Sequence, residues 1–273
     1  LLIKDGRVVV ERNPSGAYQR YETMSVTKSI VSLAIGLLIA EGRIDSVDAS
    51  LSTWFDDWKE GRKGKVTLRH VLTHTSGLAH QKGAGTLNQQ ADRTAYARGR
   101  PVIEEPGKRF SYNNEATQLL AGVVQKAAGM DPAELLGRRL FGPLGIKDFG
   151  WERDRAGNVQ AFYGLALRPR DLARIGLLML AEGRHDGHQL LPAAWVREAT
   201  RPGLAAFPMM GYLWWLRHRG HRWVQTGARL DRLAGEGLTI ADRLRPLCGR
   251  EFNRAEAYWL AAGALLDEDG RGR

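Results

Sequence analysis

The strongest pattern along the chain is a stretch from Val26 to Ala40 that is apolar nearly all round, with Val26, Ile30, Val31, Leu33, Ala34, Ile35, Leu37, Leu38 and Ile39 leaving little polar face. A helix of that kind is buried in the middle of a domain, and Gly42 after Glu41 supplies its stop. Ahead of it, residues 1–3 and 8–11 flank Lys4-Asp5-Gly6-Arg7, a turn between two apolar runs that predicts a β-hairpin. Beyond it the pattern is helical, broken by long Gly- and Pro-bearing loops. A short helix begins at 67–72, and 113–128 carries Leu119, Leu120, Val123, Val124 and Ala127 on one face before Gly129. Asp131-Pro132-Ala133-Glu134 combines an acid cap, Pro at the first helical position and Glu at the third, a strong start signal. Further helices are expected at 169–182, closed by Gly183, and at 192–200, whereas the Trp- and Tyr-rich segments 211–217 and 221–225 read as paired strands.

Strands at both ends with helices between predict two lobes: a discontinuous α/β part (1–52 and 166–273) and an all-helical insertion (53–165). The fold class is therefore α/β in the α+β sense, an antiparallel sheet flanked by helices plus a helical lobe. No internal repeat and no low-complexity segment interrupts it.

Composition narrows the function classes. Hydrophobic residues make up 43% of the 273 and charged residues 26%, enough for a sizeable core. A single cysteine, Cys248, excludes an internal disulfide framework and a multi-thiolate metal site. The longest apolar stretch, 30–40, contains Ser32 and is too short for a bilayer crossing, which needs about 20 residues. A soluble protein of the cytoplasm, periplasm or exterior is expected. The chain begins at Leu1 with neither an initiator Met nor a signal-peptide pattern, and reads as processed or trimmed. A net charge of +10 invites a nucleic-acid reading, but the surplus is spread along the chain, and its tightest cluster, 59–65 (KEGRKGK), reads as a solvated loop. Neither a nucleic-acid partner nor a membrane span is expected, and nothing in the pattern specifies an oligomeric state.

Chemistry concentrates at three places. In Ser25-Val26-Thr27-Lys28, a hydroxyl and an ammonium stand at i and i+3, on one helix face, where the buried helix begins. A serine hydroxyl needs a base to become a nucleophile, and a lysine desolvated against an apolar helix can be neutral part of the time. Alone, the pair also fits an N-cap Ser with a surface Lys. Tyr112-Asn113-Asn114 follows a Pro106-Gly107 turn and opens the next long helix. A phenolate near an ammonium is stabilised by opposite charge and can serve as a general base; the bland alternative is a core Tyr with Asn114 as a helix cap. Gln225-Thr226-Gly227-Ala228 ends the second aromatic strand. There Thr226 could bind a substrate carbonyl or carboxylate, and a backbone N–H near Ala228 could join that of Ser25 in an oxyanion hole.

Together these pieces resemble the serine β-lactamase and penicillin-binding-protein superfamily, built on Ser-x-x-Lys, Tyr-x-Asn and Lys-Thr-Gly. Their order and spacing are those of the branch holding class C β-lactamases, esterases, D-aminopeptidases and nylon-oligomer hydrolases. The similarity extends to residues 66–78 (VTLRHVLTHTSGL), 106–114 (PGKRFSYNN), 141–146 (FGPLGI) and 170–176 (RDLARIG), covering about 3 to 228. The resemblance implies a β-lactamase/transpeptidase-like fold and two-step acyl transfer. In it Ser25 would be the acylated nucleophile, Lys28 its proton partner and Tyr112 the base. Asn114 would orient Lys28 and the substrate carbonyl, Gln225 and Thr226 with Gly227 would line the substrate strand, and the N–H groups of Ser25 and Ala228 would form the oxyanion hole. No metal and no organic cofactor is implied.

Two departures shape the expected substrate. Gln225 stands where the family carries the Lys of Lys-Thr-Gly, removing the cation that meets a substrate carboxylate. After Ala228 the family continues with glycines, two apolar strands and a closing helix. Here Arg229-Leu230-Asp231-Arg232-Leu233-Ala234 alternates poorly, Pro246 follows, and only 255–266 reads as a terminal helix.

Other sites read as bland. No Gly-x-Ser-x-Gly elbow is present, and Gly83-Ala84-Gly85 lacks the register of a phosphate loop. His70 and His74, at i and i+4 but without a following acid, read as loop-fixing; His185 and His188 sit in a solvated turn. Trp214 and Trp215 point to opposite strand faces, so at most one lines the site. Three readings follow: a hydrolase of small esters or amides, a true β-lactamase or D-alanyl-D-alanine peptidase, and a non-catalytic binding relative with a degenerate C-terminal wall.

Overall fold

The computed structural model of the protein describes residues 2–4, 7–11, 19–219 and 222–226. The expectations for Gly227, Ala228, the 229–246 stretch, Cys248 and the 255–266 helix lie outside these residues, as do the side chains of Gln225 and Thr226.

The chain opens with β1 (Leu2–Lys4) and β2 (Arg7–Val10), the antiparallel hairpin the turn predicts, with Ile3 opposite Val8. β3 (Tyr21–Glu22) then leads into α1 (Val26–Ala40). The helix has the bounds its apolar pattern predicts, and thirteen of its residues, Val26 to Leu38, are buried. Gly42 takes φ 68 at its end and donates its N–H to the Ile39 carbonyl. Short helices follow: α2 (Leu68–Leu72), α3 (Gly85–Gln89), α4 (Arg93–Gly99) and then the longer α5 (Asn114–Ala128), which ends on Gly129 in the left-handed conformation. At α6 (Pro132–Leu136) the Asp131 carboxylate accepts the N–H groups of Ala133 at 2.8 Å and Glu134 at 3.0 Å, as its start signal requires.

β4 (Gly150–Trp151) and β5 (Leu165–Leu167) join β3 in a three-stranded sheet of order β3-β5-β4, antiparallel throughout. Sequence pattern alone assigns no strand to 150–151, because a two-residue strand has no period to detect. α7 (Pro169–Leu180) precedes the exposed β6 (Arg184–His185) and β7 (His188–Gln189) hairpin, which carries His185 and His188. α8 (Ala193–Ala199) follows, and β8 (Trp215–Arg219) pairs antiparallel with β9 (Arg222–Thr226). β8 starts later than the aromatic pattern suggests. Gly211 to Leu213 form a bend in which Leu213 takes φ 63 and donates its N–H to the Leu72 carbonyl at 2.8 Å.

The structure has the β-lactamase/transpeptidase-like architecture that the motifs imply. α1 is its axis. One buried core joins α1 with Leu119, Leu120, Val123 and Val124 of α5, Leu135 and Leu136 of α6, and Trp195 of α8. Fully burying such side chains stabilises the fold by roughly 1.5–3 kcal/mol each. Gly36 is the point of closest approach: a Cβ there would lie 2.4 Å from the Trp195 ring. The Ser29 hydroxyl of α1 donates to the Leu213 carbonyl at 2.6 Å, fixing the 211–213 bend against the start of the axis.

Candidate active site

α1 begins in a strained turn. Met24 occupies φ 48, and the N–H groups of Val26 and Thr27 bond the carbonyls of Thr23 and Met24 at 3.0 Å each. The chain thereby swings from β3 into the helix within three residues, with Ser25 at the hinge. Two buried threonines fasten that hinge to β5. The Thr23 N–H and hydroxyl both donate to the Leu165 carbonyl, at 2.7 and 2.9 Å, and Thr27 Oγ1 accepts the Leu165 N–H at 3.3 Å. The two hydroxyl oxygens lie 3.0 Å apart. Since the Thr23 proton is given to Leu165, the proton between them belongs to Thr27. The result is a closed ring: Leu165 N–H to Thr27 O–H to Thr23 O–H and back to the Leu165 carbonyl. Every member is satisfied, as a buried polar network must be.

One turn into the helix, Lys28 is only 2% exposed. Its Nζ donates to Ser25 Oγ at 3.1 Å and to the Phe162 carbonyl at 2.6 Å, and stands 4.8 Å from the centre of the Tyr112 ring. Burial in this apolar, aromatic surround penalises the charged amine and pushes its pKa down to about 7. The neutral amine is therefore accessible near neutral pH, held against the serine hydroxyl. The Ser25–Lys28 contact expected from the i, i+3 spacing is present. The Phe162 carbonyl is an additional partner that no local pattern announces.

Tyr112 reaches the site on a loop held by His74. The Ser111 N–H donates to the His74 carbonyl at 2.8 Å, the Asn113 N–H donates to His74 Nδ1 at 3.2 Å, and the His74 ring packs on that of Tyr112 with centroids 4.6 Å apart. His74 is buried and in the left-handed region at φ 55. Burial first, then the positive charges of Lys28 and His80, push its pKa down to about 3, so the ring is neutral. With Nδ1 accepting, its proton sits on Nε2, which is buried without a hydrogen-bond partner among the described residues. His74 thus does more than fix its own loop. His70 keeps the loop-fixing role, its Nδ1 accepting the Thr67 N–H at 3.1 Å in a reciprocal cap of α2.

One reading of the Tyr-x-Asn segment, Asn114 as the helix cap, is corrected. The cap of α5 is Asn113, whose Oδ1 accepts the Ala116 N–H at 2.8 Å and whose amide donates to the Leu78 carbonyl at 2.7 Å. Asn114, the first residue of the helix, donates its side-chain amide to the Gly83 carbonyl at 3.1 Å, and its buried Oδ1 has no hydrogen-bond partner among the described residues. Two adjacent asparagines can each cap, and only the loop's path decides which does.

On the opposite side, β9 brings the backbone of Gln225 and Thr226 into register with Leu216 and Trp215. Trp214 is buried and Trp215 half-exposed, so one tryptophan of the pair can line the site. Among the described residues no cluster of His, Cys, Asp or Glu could hold a metal ion, and no helix is long and apolar enough to cross a membrane.

The family model described as Beta-lactamase matches residues 1–246. The chain belongs to the beta-lactamase family. Among characterised relatives it is 31% identical to Esterase EstB of Burkholderia gladioli over 154 residues, 48% of this chain and 38% of that protein. It is 25% identical to the 6-aminohexanoate-dimer hydrolase of Paenarthrobacter ureafaciens over 247 residues, 79% of this chain and 63% of that protein. The matches thus span less than two thirds of these relatives' lengths. The octameric penicillin-binding protein homologue from Pyrococcus abyssi superposes with a TM-score of 0.65 at 22% identity, covering 79% of this chain and 60% of that one, and shares the fold.

Proposed function

We propose that this beta-lactamase-family protein is a serine hydrolase that cleaves small esters or amides through an acyl-enzyme on Ser25. The observation that carries the reading is the buried Lys28, with Nζ 3.1 Å from Ser25 Oγ and a pKa of about 7. In its neutral form the amine presents a lone pair to the hydroxyl, and the contact reverses polarity: Oγ–H donates to Nζ. Ser25 Oγ then attacks the substrate carbonyl carbon as its proton passes to Lys28. Tyr112, beside the same nitrogen, hands a proton to the departing alcohol or amine. The acyl-enzyme is released when water attacks the ester, its proton returning through the same pair. The Ser25 and Ala228 N–H groups are the inferred oxyanion donors, and Asn114, Gln225, Thr226 and Gly227 the inferred substrate contacts.

Two lobes are inferred to meet here, an α/β part of 1–52 and 166–273 carrying Ser25 and Lys28, and a helical part of 53–165 carrying Tyr112. Esterase EstB among the relatives supports ester cleavage, and Gln225 in place of a lysine argues for uncharged substrates over β-lactams. The test is hydrolysis of short-chain p-nitrophenyl esters by the purified protein. Activity lost in Ser25→Ala supports the reading, and equal activity in the two proteins refutes it. Nitrocefin turnover exceeding ester turnover would transfer the assignment to a β-lactamase.

A further inference from the structure

Four partly exposed rings continue outward from the proposed proton donor: Tyr112, Trp215, Phe110 and Phe207. Trp215 lies nearly parallel to Tyr112, with centroids 6.1 Å apart and planes at 23°. Phe110 and Phe207 stack on each other at 3.7 Å and both turn an edge to Trp215, at 6.3 and 6.2 Å. The rings come from three separate segments, the approach to Tyr112, the 207 loop and the start of β8. Their convergence is not a by-product of one helix face. The assembly is tied to the site at both ends, since Tyr112 faces Lys28 and the Cα of Trp215 pairs across the strands with that of Thr226. No ring carries a charge, and Met209 beside Phe207 is exposed at 36%.

From this geometry we infer that the aromatic wall is a subsite for the leaving group, and that the substrate's departing alcohol or amine carries a flat, uncharged aromatic ring. The inference rests on the serine-hydrolase reading. The group that protonates a leaving atom must stand beside it, so the surface continuing outward from Tyr112 borders the leaving portion and not the acyl portion. Ring edges and faces half open to water bind a flat apolar group better than a flexible polar one, roughly two- to tenfold per ring contact.

Benzyl butyrate, cyclohexylmethyl butyrate and 2-methoxyethyl butyrate test it. All three form the same butyryl-enzyme from alcohols of similar acidity, so differences in kcat/KM report acylation and leaving-group contacts. The wild type is expected to favour the benzyl over the methoxyethyl ester by about fivefold or more, with the cyclohexylmethyl ester between them. Phe207→Ala should bring the benzyl-to-methoxyethyl ratio to within about twofold of unity, and Phe207→Leu should give an intermediate ratio, with melting temperatures checking that both variants fold. A wild-type ratio near one, an equal gain with the cyclohexylmethyl ester, or equal losses on all esters in Phe207→Ala overturns the subsite. In those cases Ser25-dependent cleavage of p-nitrophenyl butyrate leaves the hydrolase reading standing. Absence of any Ser25-dependent cleavage overturns both.

Discussion

Replacing Lys28 by methionine removes the titrating group while keeping much of its apolar volume, and the resulting change in stability should depend on pH in a defined direction. Burial moves the amine from 10.5 to about 7. At about 1.4 kcal/mol per pKa unit, the charged lysine costs the fold on the order of 5 kcal/mol. Below pH 7 the lysine is charged in both folded and unfolded chains, and the whole cost is present. Between about 7 and 10.5 the unfolded chain keeps a proton that the folded one has shed, so wild-type stability rises with pH by up to ~1.4 kcal/mol per unit. Above 10.5 the cost is gone. The methionine variant has no such dependence, but it leaves the buried Phe162 carbonyl without its 2.6 Å partner, a pH-independent loss of about 1–3 kcal/mol. Lys28→Met should therefore be the more stable protein at pH 6, by roughly 2–4 kcal/mol. It should become the less stable one above a crossover at about pH 8 to 10. Urea denaturation of both proteins at unit steps from pH 6 to 10 measures this, and taking the difference cancels the other titrating groups. A difference that stays constant over that range means Lys28 keeps an ordinary pKa, and the case for a neutral amine beside Ser25 is lost.

Three further outcomes follow from the packing and the network around the site. Thr27→Val breaks the ring through Thr23 and Leu165 and strands a buried N–H, so it should cost about 1–3 kcal/mol in urea and slow ester hydrolysis more than Thr27→Ser does; equal kinetics for Val and Ser would mean the ring does not position Ser25. The His74 ring stays neutral down to about 3, so the unfolded chain binds the extra proton and the wild type loses stability as pH falls from about 6.5 to 3; His74→Gln should flatten that acid limb in thermal melts, and an unchanged limb would refute the assignment. Gly36→Ala improves intrinsic helix propensity by about 1 kcal/mol, yet its Cβ would meet the Trp195 ring at 2.4 Å, so crowding costing about 1–3 kcal/mol should prevail and lower the melting temperature; a rise would show that Trp195 can step aside.

Much of this site was legible from local pattern. α1 declares itself because an all-round apolar helix can only be an axis, and Ser25 and Lys28 share a face by spacing alone. The cap at Asp131 follows from a side chain bonding backbone within a few residues, and the stop at Gly129 from glycine's ready access to the left-handed conformation. What escaped needs the chain path. The Phe162 carbonyl that holds Lys28 lies 134 residues away, and Thr23 reaches Leu165 across 142. The signal for the threonine ring is nonetheless present, since Thr27 is a hydroxyl at the start of a helix that is apolar over most of its length. From sequence His74 reads as loop-fixing, because its left-handed backbone and the packing of its ring on Tyr112 leave no mark in composition or period. The choice of Asn113 over Asn114 as cap, and the convergence of Phe110, Phe207 and Trp215, likewise depend on loops and not on periodicity.

The central claim is that Ser25 becomes covalently acylated. Intact-mass spectrometry after brief exposure to a fluorophosphonate, followed by peptide mapping, tests it most directly. The account predicts one adduct per chain, on the peptide containing Ser25, absent in Ser25→Ala and slowed at least tenfold in Lys28→Met. An unmodified chain, or an adduct on another residue that persists in Ser25→Ala, contradicts it and leaves a binding protein with the fold but not the chemistry.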